Sequence, residues 1–186
     1  MTGSPTGRRW DGSAIPKVNS RVRSLIKTAD RLYALFLKVA NSLQSPLLLA
    51  IRVYWGWQFW QSGSGKLSDI SKTVDYFTSL GVPAPSLNAH FIAWLEAVGG
   101  ILLILGLASR LIALPLLIDM IMAYVIADRE ALSSIISDPD KFYAAAPYTL
   151  LFASLIILAF GPGMFSLDTL IKRYRAKAKT ESAPAT

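Results

Sequence analysis

The chain has 186 residues, of which 53% are hydrophobic, and it carries 19 Lys plus Arg against 12 Asp plus Glu, one His and no Cys. Such apolar content, arranged in long uncharged runs, indicates a membrane protein. The absence of Cys excludes disulfides, thiolate catalysis, iron–sulfur ligation and Cys-type zinc sites within this chain. Any redox chemistry therefore needs a bound cofactor or substrate.

The region before the first apolar run divides into two parts. Residues 1–20 mix Gly, Pro and Ser with charges and contain no apolar block of the kind found in a cleavable signal, which predicts a disordered leader. Residues 21–44 place apolar and basic side chains on opposite sides of a helix, which predicts an amphipathic juxtamembrane helix on the anionic inner leaflet. Nucleic-acid binding is the alternative, but no recognisable DNA-binding motif accompanies these basic residues.

Four apolar segments are each long enough to cross a hydrocarbon core of about 30 Å. The first begins at Ser45-Pro46, a cap followed by a proline suited to the first helical turn. The last ends at Gly161-Pro162-Gly163. The sequence predicts an all-α protein with a four-helix transmembrane domain over 45–170 and a basic tail over 171–186, the spans covering residues 45–62, 88–107, 109–127 and 146–162.

The distribution of Lys and Arg predicts the orientation. Basic residues concentrate before the first span and after the fourth, whereas loops 62–87 and 128–145 carry two each, offset by acids. An even number of spans and the positive-inside rule both predict cytoplasmic termini, N-in and C-in.

The stretch WQSGSGKL, residues 60–67, looks at first like a phosphate-binding loop. Trp60 stands where that motif needs a glycine, and Leu67 stands where it needs Ser or Thr, so a nucleotide site is not favoured. We instead expect the glycines to end the first helix at the outer mouth of the domain, with Trp60 at the interface.

Three ionisable residues fall inside the predicted spans: Arg52, Glu96 and Asp119. A charge in hydrocarbon is costly, so each should face the protein interior, and their estimated depths suggest that Arg52 pairs with the carboxylates. One cation against two carboxylates favours either a carboxyl group that keeps its proton or a further cation, such as Lys66, reaching in. We predict a proton-exchanging site; the alternative is an internal staple that fixes the helix register.

The first span is dense in aromatic side chains. They either anchor the helix in lipid or line a flat apolar pocket, with Gln58 and Gln61 as polar contacts, and the residues concerned are Tyr54, Trp55, Trp57, Phe59 and Trp60. The lone His90 lies on another helix face from Glu96 and has no second His to pair with, so neither a metal nor a haem is expected.

Four motifs follow one another within residues 47–170: RVYWGWQFWQSGSGKL, TSLGVPAP, EAVGGILLILGLASR and FGPGMFSLD. In this order they resemble the DoxX family of four-helix bacterial membrane proteins, whose wider group includes the small subunit of thiosulfate:quinone oxidoreductase. On the family's recurrent positions stand Arg52, Lys66, Glu96, Gly100, Gly161, Gly163, Ser166 and Asp168. Members of the family often carry a further acidic residue near the start of helix four, where this chain has Pro147 and Tyr148 instead. Asp119 replaces that acid, or its role is lost.

The resemblance implies a multi-pass protein of the bacterial inner membrane that takes part in quinone-linked sulfur oxidation or in complexes that handle oxidative stress. Our leading hypothesis is a redox subunit in which Arg52 holds a carbonyl or anionic group and Glu96 and Asp119 relay protons. The residues expected to contact a quinone are Trp55, Gln58, Phe59 and Lys66.

Besides lipid, we expect a membrane or cytosolic redox partner, or a second copy of the chain, and no nucleic acid. One alternative is a non-enzymatic scaffold whose basic ends recruit a cytosolic partner. Another is a proton-coupled transporter of a small anion, although four helices leave little room for alternating access without oligomerisation.

Overall fold

The computed structural model describes the backbone of residues 20–181 and the side chains of residues 26, 27 and 29–178. Every regular element within those residues is a helix, as the all-α prediction required. The predicted leader lies outside the described residues apart from Ser20. In chain order the helices are α1 (Ser20–Ser68), α2 (Ile70–Ser79), α3 (Pro85–Leu105), α4 (Ser109–Ile126), α5 (Arg129–Ser133), α6 (Pro139–Ala144), α7 (Pro147–Phe160) and α8 (Leu167–Glu181).

Three helices among the described residues are long and apolar enough to cross a membrane. They are the Ala29–Ser68 part of α1, α3 and α4. The fourth predicted span corresponds to α7, an apolar helix of 14 residues. At 1.5 Å per residue α7 extends about 21 Å, which is shorter than a bilayer core.

Helix α1 does not have the boundaries predicted for the first span. The expected start at Ser45-Pro46 is wrong, because Pro46 lies inside a helix that begins at Ser20. The expected end near residue 62 is also wrong, because the helix continues through Gly63 and Gly65 to Ser68. Described by itself, the part of α1 before residue 42 exposes large apolar side chains such as Leu32, Tyr33 and Phe36.

Gly63, within WQSGSGKL, has a packing role that the sequence did not indicate. A Cβ atom at Gly63 would overlap the backbone nitrogen of Ala97 on α3 and would lie 2.6 Å from the carbonyl oxygen of Ala93. One at Gly100 would lie 2.5 Å from the carbonyl oxygen of Gly56 on α1. The missing side chains therefore let α1 and α3 approach backbone to backbone.

The short connection between the spans predicted over 88–107 and 109–127 is confirmed. Gly106 adopts a left-handed conformation at φ 70° and caps the C-terminus of α3. Ala108 also has positive φ, and α4 begins at Ser109. Helix α7 packs along α4, and side chains from α1, α3, α4 and α7 share an apolar core made of Ile51, Phe59, Leu103, Ala113, Leu116, Met120, Ala153 and Ile157.

The connections contain helices that the sequence analysis treated as loop or tail. Residues 62–87 include α2, which is capped by Asp69, and residues 128–145 include the short helices α5 and α6. The predicted basic tail is helical as far as Glu181, because it continues α8, which begins at Leu167 within the FGPGMFSLD motif.

Candidate functional site

One cluster of ionisable side chains lies between α1, α3 and α4, and we call Lys66, Glu96 and Asp119 the acidic site. The ammonium group of Lys66, in the last turn of α1, forms an ion pair with Glu96 in the middle of α3. The side chain of Glu96 is only 1% exposed, and Asp119 on α4 is 8% exposed. The sequence-based expectation that Lys66 reaches in is confirmed.

The acidic site contains two carboxyl groups and one ammonium group. The carboxyl group of Asp119 interacts electrostatically with both Glu96 and Lys66. One ammonium group beside two carboxyl groups leaves an excess negative charge in the site unless one carboxyl group carries a proton. The second oxygen of Asp119, Oδ2, is buried without a hydrogen-bond partner among the described residues. This arrangement can hold and release a proton.

The surroundings of Glu96 explain how a carboxylate is accommodated inside the protein. Its neighbours on α3 include Ala93, Ala97 and Gly100, all buried. These small residues let α1 come close enough for Lys66 to reach the carboxylate. The interior position that the sequence predicted for Glu96 is therefore confirmed.

Arg52 does not pair with either carboxylate, contrary to the sequence-based expectation. Its guanidinium donates hydrogen bonds to the carbonyl oxygens of Pro162 at 2.8 Å and Phe165 at 2.6 Å. Because α1 is continuous as far as Ser68, Arg52 lies about 21 Å along the helix from Lys66 at 1.5 Å per residue. Its side chain is only 1% exposed.

Arg52 belongs to a second set of contacts that we call the closing network: Arg52, Gly106, Pro162, Phe165 and Asp168. The guanidinium lies against Gly106, where a Cβ atom would overlap it. Both carboxylate oxygens of Asp168 accept backbone N–H bonds from the start of α4, at 2.8 Å and 3.0 Å. The Asp168 N–H in turn donates to the Gly106 carbonyl at 3.0 Å. This network fastens the segment between α7 and α8 to the α3–α4 turn.

A groove of about 560 Å³ opens between α1 and the start of α7. Predicted contacts Trp55 and Gln58 lie in its wall, and the full lining is Tyr54, Trp55, Gln58, Gln61, Ser62, Ala146, Thr149 and Leu150. Phe59, the third predicted contact on α1, is instead fully buried in the apolar core.

Ser62 connects the groove with the acidic site. Its side chain lies in the groove wall, and its Oγ accepts a hydrogen bond of 3.0 Å from the Lys66 ammonium. Ser62 was missed because the first helix was predicted to end near residue 62, which left the direction of Lys66 relative to Ser62 undefined. The signal was the four-residue spacing from Lys66, which puts both side chains on one helix face.

His90 lies apart from these groups. Its Nδ1 is 2.8 Å from the carbonyl oxygen of Ser86, four residues earlier on α3. Across the part of the chain that the structure describes, no group of three or more His, Cys, Asp and Glu side chains is arranged to hold a metal ion.

Comparison with known proteins identifies the family. The DoxX family model matches residues 47–129. The protein named "Uncharacterized membrane protein Rv3486" of Mycobacterium tuberculosis (strain ATCC 25618 / H37Rv) is 30% identical over 140 residues, which cover 69% of this chain and 83% of that protein. The chain belongs to the DoxX family.

A second relative is the protein named "Putative oxidoreductase CatD" of Bacillus subtilis (strain 168). It is 29% identical over 123 residues, which cover 66% of this chain and 85% of that protein. No solved structure matches the chain. This DoxX protein is thus a multi-pass membrane protein in contact with the lipid bilayer, and the matched region contains Arg52 and the whole acidic site.

Proposed function

We propose that this DoxX protein is a subunit of a quinone-linked redox system, with a ligand in the groove and protons supplied by the acidic site. The observation that carries the proposal is the contact between Ser62 in the groove wall and Lys66, which pairs with buried Glu96. The name of the relative CatD, which describes it as an oxidoreductase, agrees with a redox role.

The groove suits a flat ring that carries carbonyl groups. Its volume of about 560 Å³ falls within the usual range of small-molecule pockets. Tyr54 and Trp55 offer aromatic faces, and the amide groups of Gln58 and Gln61 can donate hydrogen bonds to carbonyl oxygens. A quinone bound there would accept two electrons and two protons.

The chain's own residues can deliver those protons. The hydroxyl of Ser62 can both donate and accept a hydrogen bond, so it can pass a proton to the groove and regain one from the Lys66 side. The paired carboxyl groups of Glu96 and Asp119 hold the reserve proton. The electrons come from a sulfur compound or from a membrane or cytosolic redox partner.

Arg52 has a different role in this proposal from the one expected from sequence. Its two hydrogen bonds go to backbone carbonyls of the segment between α7 and α8, and it is not among the residues that line the groove. We therefore assign Arg52 to holding the closing segment and leave ligand contact to Trp55 and Gln58.

The same proposal includes a topology in the bacterial inner membrane. Helices α1, α3, α4 and α7 would form a four-helix bundle with both termini cytoplasmic and residues 21–44 on the inner leaflet. Support comes from the packing of α7 along α4 and from the basic residues at both ends of the chain. Residues that flank α7 would complete its crossing.

The test is quinone reduction by the purified protein in lipid nanodiscs, with a short-chain ubiquinone as acceptor and thiosulfate and related sulfur compounds as donors. We expect Glu96→Gln to lower turnover about 100-fold and Ser62→Ala about 10-fold, because each interrupts proton delivery. Gly65→Ala is the matched control on α1, since a Cβ atom there meets nothing within 4 Å.

If the Glu96→Gln variant turns over as fast as the wild type, the acidic site is excluded as the proton source. If the wild type neither binds the quinone nor turns over with any donor, the redox proposal is overturned. The non-enzymatic scaffold then becomes the leading hypothesis.

A further inference from the structure

Helix α8 has an apolar stripe that is exposed along its length. Large apolar side chains recur at spacings of three and four residues, and they are between 37% and 78% exposed: Leu167, Leu170, Ile171 and Tyr174. On a helix with 100° between successive residues, basic residues border this stripe on both sides. Arg173 and Lys177 follow one edge, and Lys172 and Arg175 follow the other.

The start of α8 is fixed at one end of the membrane-crossing helices. Asp168, in its first turn, accepts N–H bonds from Ala108 and Ser109 and donates its own N–H to Gly106. These partners form the turn between α3 and α4, both of which can span a membrane, so the turn lies at a membrane surface. Met164 and Phe165, three and two residues before α8, are each 58% exposed and extend the apolar surface towards it.

We propose that α8 is an interfacial helix whose apolar stripe enters the bilayer surface and whose Lys and Arg side chains bind anionic phospholipid headgroups. A cationic border on both sides of the stripe suits a flat bilayer, because the long side chains on either edge can bend upward to the headgroup plane. The negative surface of the cytoplasmic leaflet complements their charge. This inference is independent of the proposed redox activity.

The chain contains no Cys, so single cysteines can carry a nitroxide spin label without background. The experiment places the label at Tyr174→Cys on the stripe and at Ala176→Cys on the opposite face, using the full chain in vesicles that contain phosphatidylglycerol. Collision with a water-soluble paramagnetic reagent should be about ten-fold less frequent at position 174, because the stripe is buried about 5–10 Å into the interface. Leu170→Cys is a second reporter on the stripe if Tyr174→Cys does not fold.

A second arm tests the headgroup contact. The contrast in collision frequency between positions 174 and 176 should shrink several-fold in vesicles of phosphatidylcholine alone. It should shrink similarly when Arg173→Gln and Arg175→Gln are introduced and the vesicles are anionic. Equal water accessibility at the two positions in anionic vesicles would overturn the interfacial placement. That result would instead fit a stripe that binds a soluble protein. An undiminished contrast in phosphatidylcholine would overturn the assignment to anionic headgroups.

Discussion

The closing network and the acidic site both bury charge between helices, but they differ in the partners of that charge. Arg52 and Asp168 bind backbone carbonyl and N–H groups, which do not titrate and occupy fixed positions. Lys66 and Glu96 bind each other beside Asp119, so the partner of each charge is itself an ionisable side chain. Burial alone therefore does not distinguish the two sets, whereas the nature of the partner does.

The two sets also share one helix. Arg52 and Lys66 both lie on α1, and Gly56 and Gly63 let that helix touch α3. Separating α1 from α3 should disrupt both sets of contacts. A substitution in the closing network should instead change mainly the stability, and one in the acidic site should change mainly the turnover.

The largest effect should come from Gly63→Ala, which disturbs both regions together. Its new Cβ atom would overlap the α3 backbone at Ala97, and backbone cannot move aside as a flexible side chain can. We expect the free energy of unfolding to fall by about 3 kcal/mol or more. Thermal unfolding in nanodiscs would measure this against Gly65→Ala, which meets no neighbour and should be neutral or slightly stabilising. Equal melting temperatures would contradict the close helix contact.

Arg52→Gln should affect the closing network alone. It removes a buried guanidinium and leaves the carbonyls of Pro162 and Phe165 without their donor. We expect a loss of about 3 kcal/mol in the free energy of unfolding. The control is Arg110→Gln, because Arg110 donates one exposed hydrogen bond to Ala159, and its loss should cost under about 1 kcal/mol. A similar small loss in both variants would argue against a structural role for Arg52.

Asp168→Asn should produce a smaller effect in the same network. The amide keeps one acceptor oxygen, so one of the two N–H bonds from Ala108 and Ser109 is lost together with the negative charge at the start of α4. We expect a loss of about 1 kcal/mol, as for other helix caps. An increase in hydrogen exchange at those two amides would locate the effect, and unchanged exchange would exclude the capping role.

The smallest effect should come from Asp69, a solvent-exposed aspartate that caps α2. It shows how a charged group outside the two buried regions contributes to stability. The backbone N–H of Lys72 donates to its carboxylate at 3.2 Å and holds the pKa of Asp69 below its usual value. Because the folded pKa is depressed, the capping contribution is complete above about pH 4 and fades as the pH falls through the lower folded pKa.

Hydrogen exchange at the Lys72 amide should therefore accelerate towards acid in the wild type. In Asp69→Asn that dependence should be absent. The same acid dependence in both proteins would exclude Asp69 as its source.

The helices that could be predicted were those marked by local signals. The break between the apolar runs gave the α3–α4 connection, and the cost of a charge in hydrocarbon gave the buried position of Glu96. The boundaries of α1 could not be predicted, because Gly63 is compatible with either a helix end or a close helix contact. Only the position of Ala97 decides between these possibilities.

The partner of Arg52 was also beyond the sequence. Its acceptors are carbonyl groups 110 and 113 residues away, and every residue carries such a group, so no side-chain pattern reveals them. Lys66 was recognised as a further cation, but Ser62 was missed because the helix was expected to end near residue 62, and chain beyond a helix end does not fix the direction of the Lys66 side chain. Once α1 is helical there, the four-residue spacing places the two side chains together.

The most direct test compares turnover per folded molecule with melting temperature for Glu96→Gln and Arg52→Gln in the same nanodiscs. If the acidic site performs chemistry and the closing network holds the fold, Glu96→Gln should lose about 100-fold in quinone turnover with a small change in melting temperature. Arg52→Gln should show a lower melting temperature with turnover per folded molecule retained. The reverse pattern, in which Glu96→Gln unfolds early but turns over normally, would make the acidic site an internal staple.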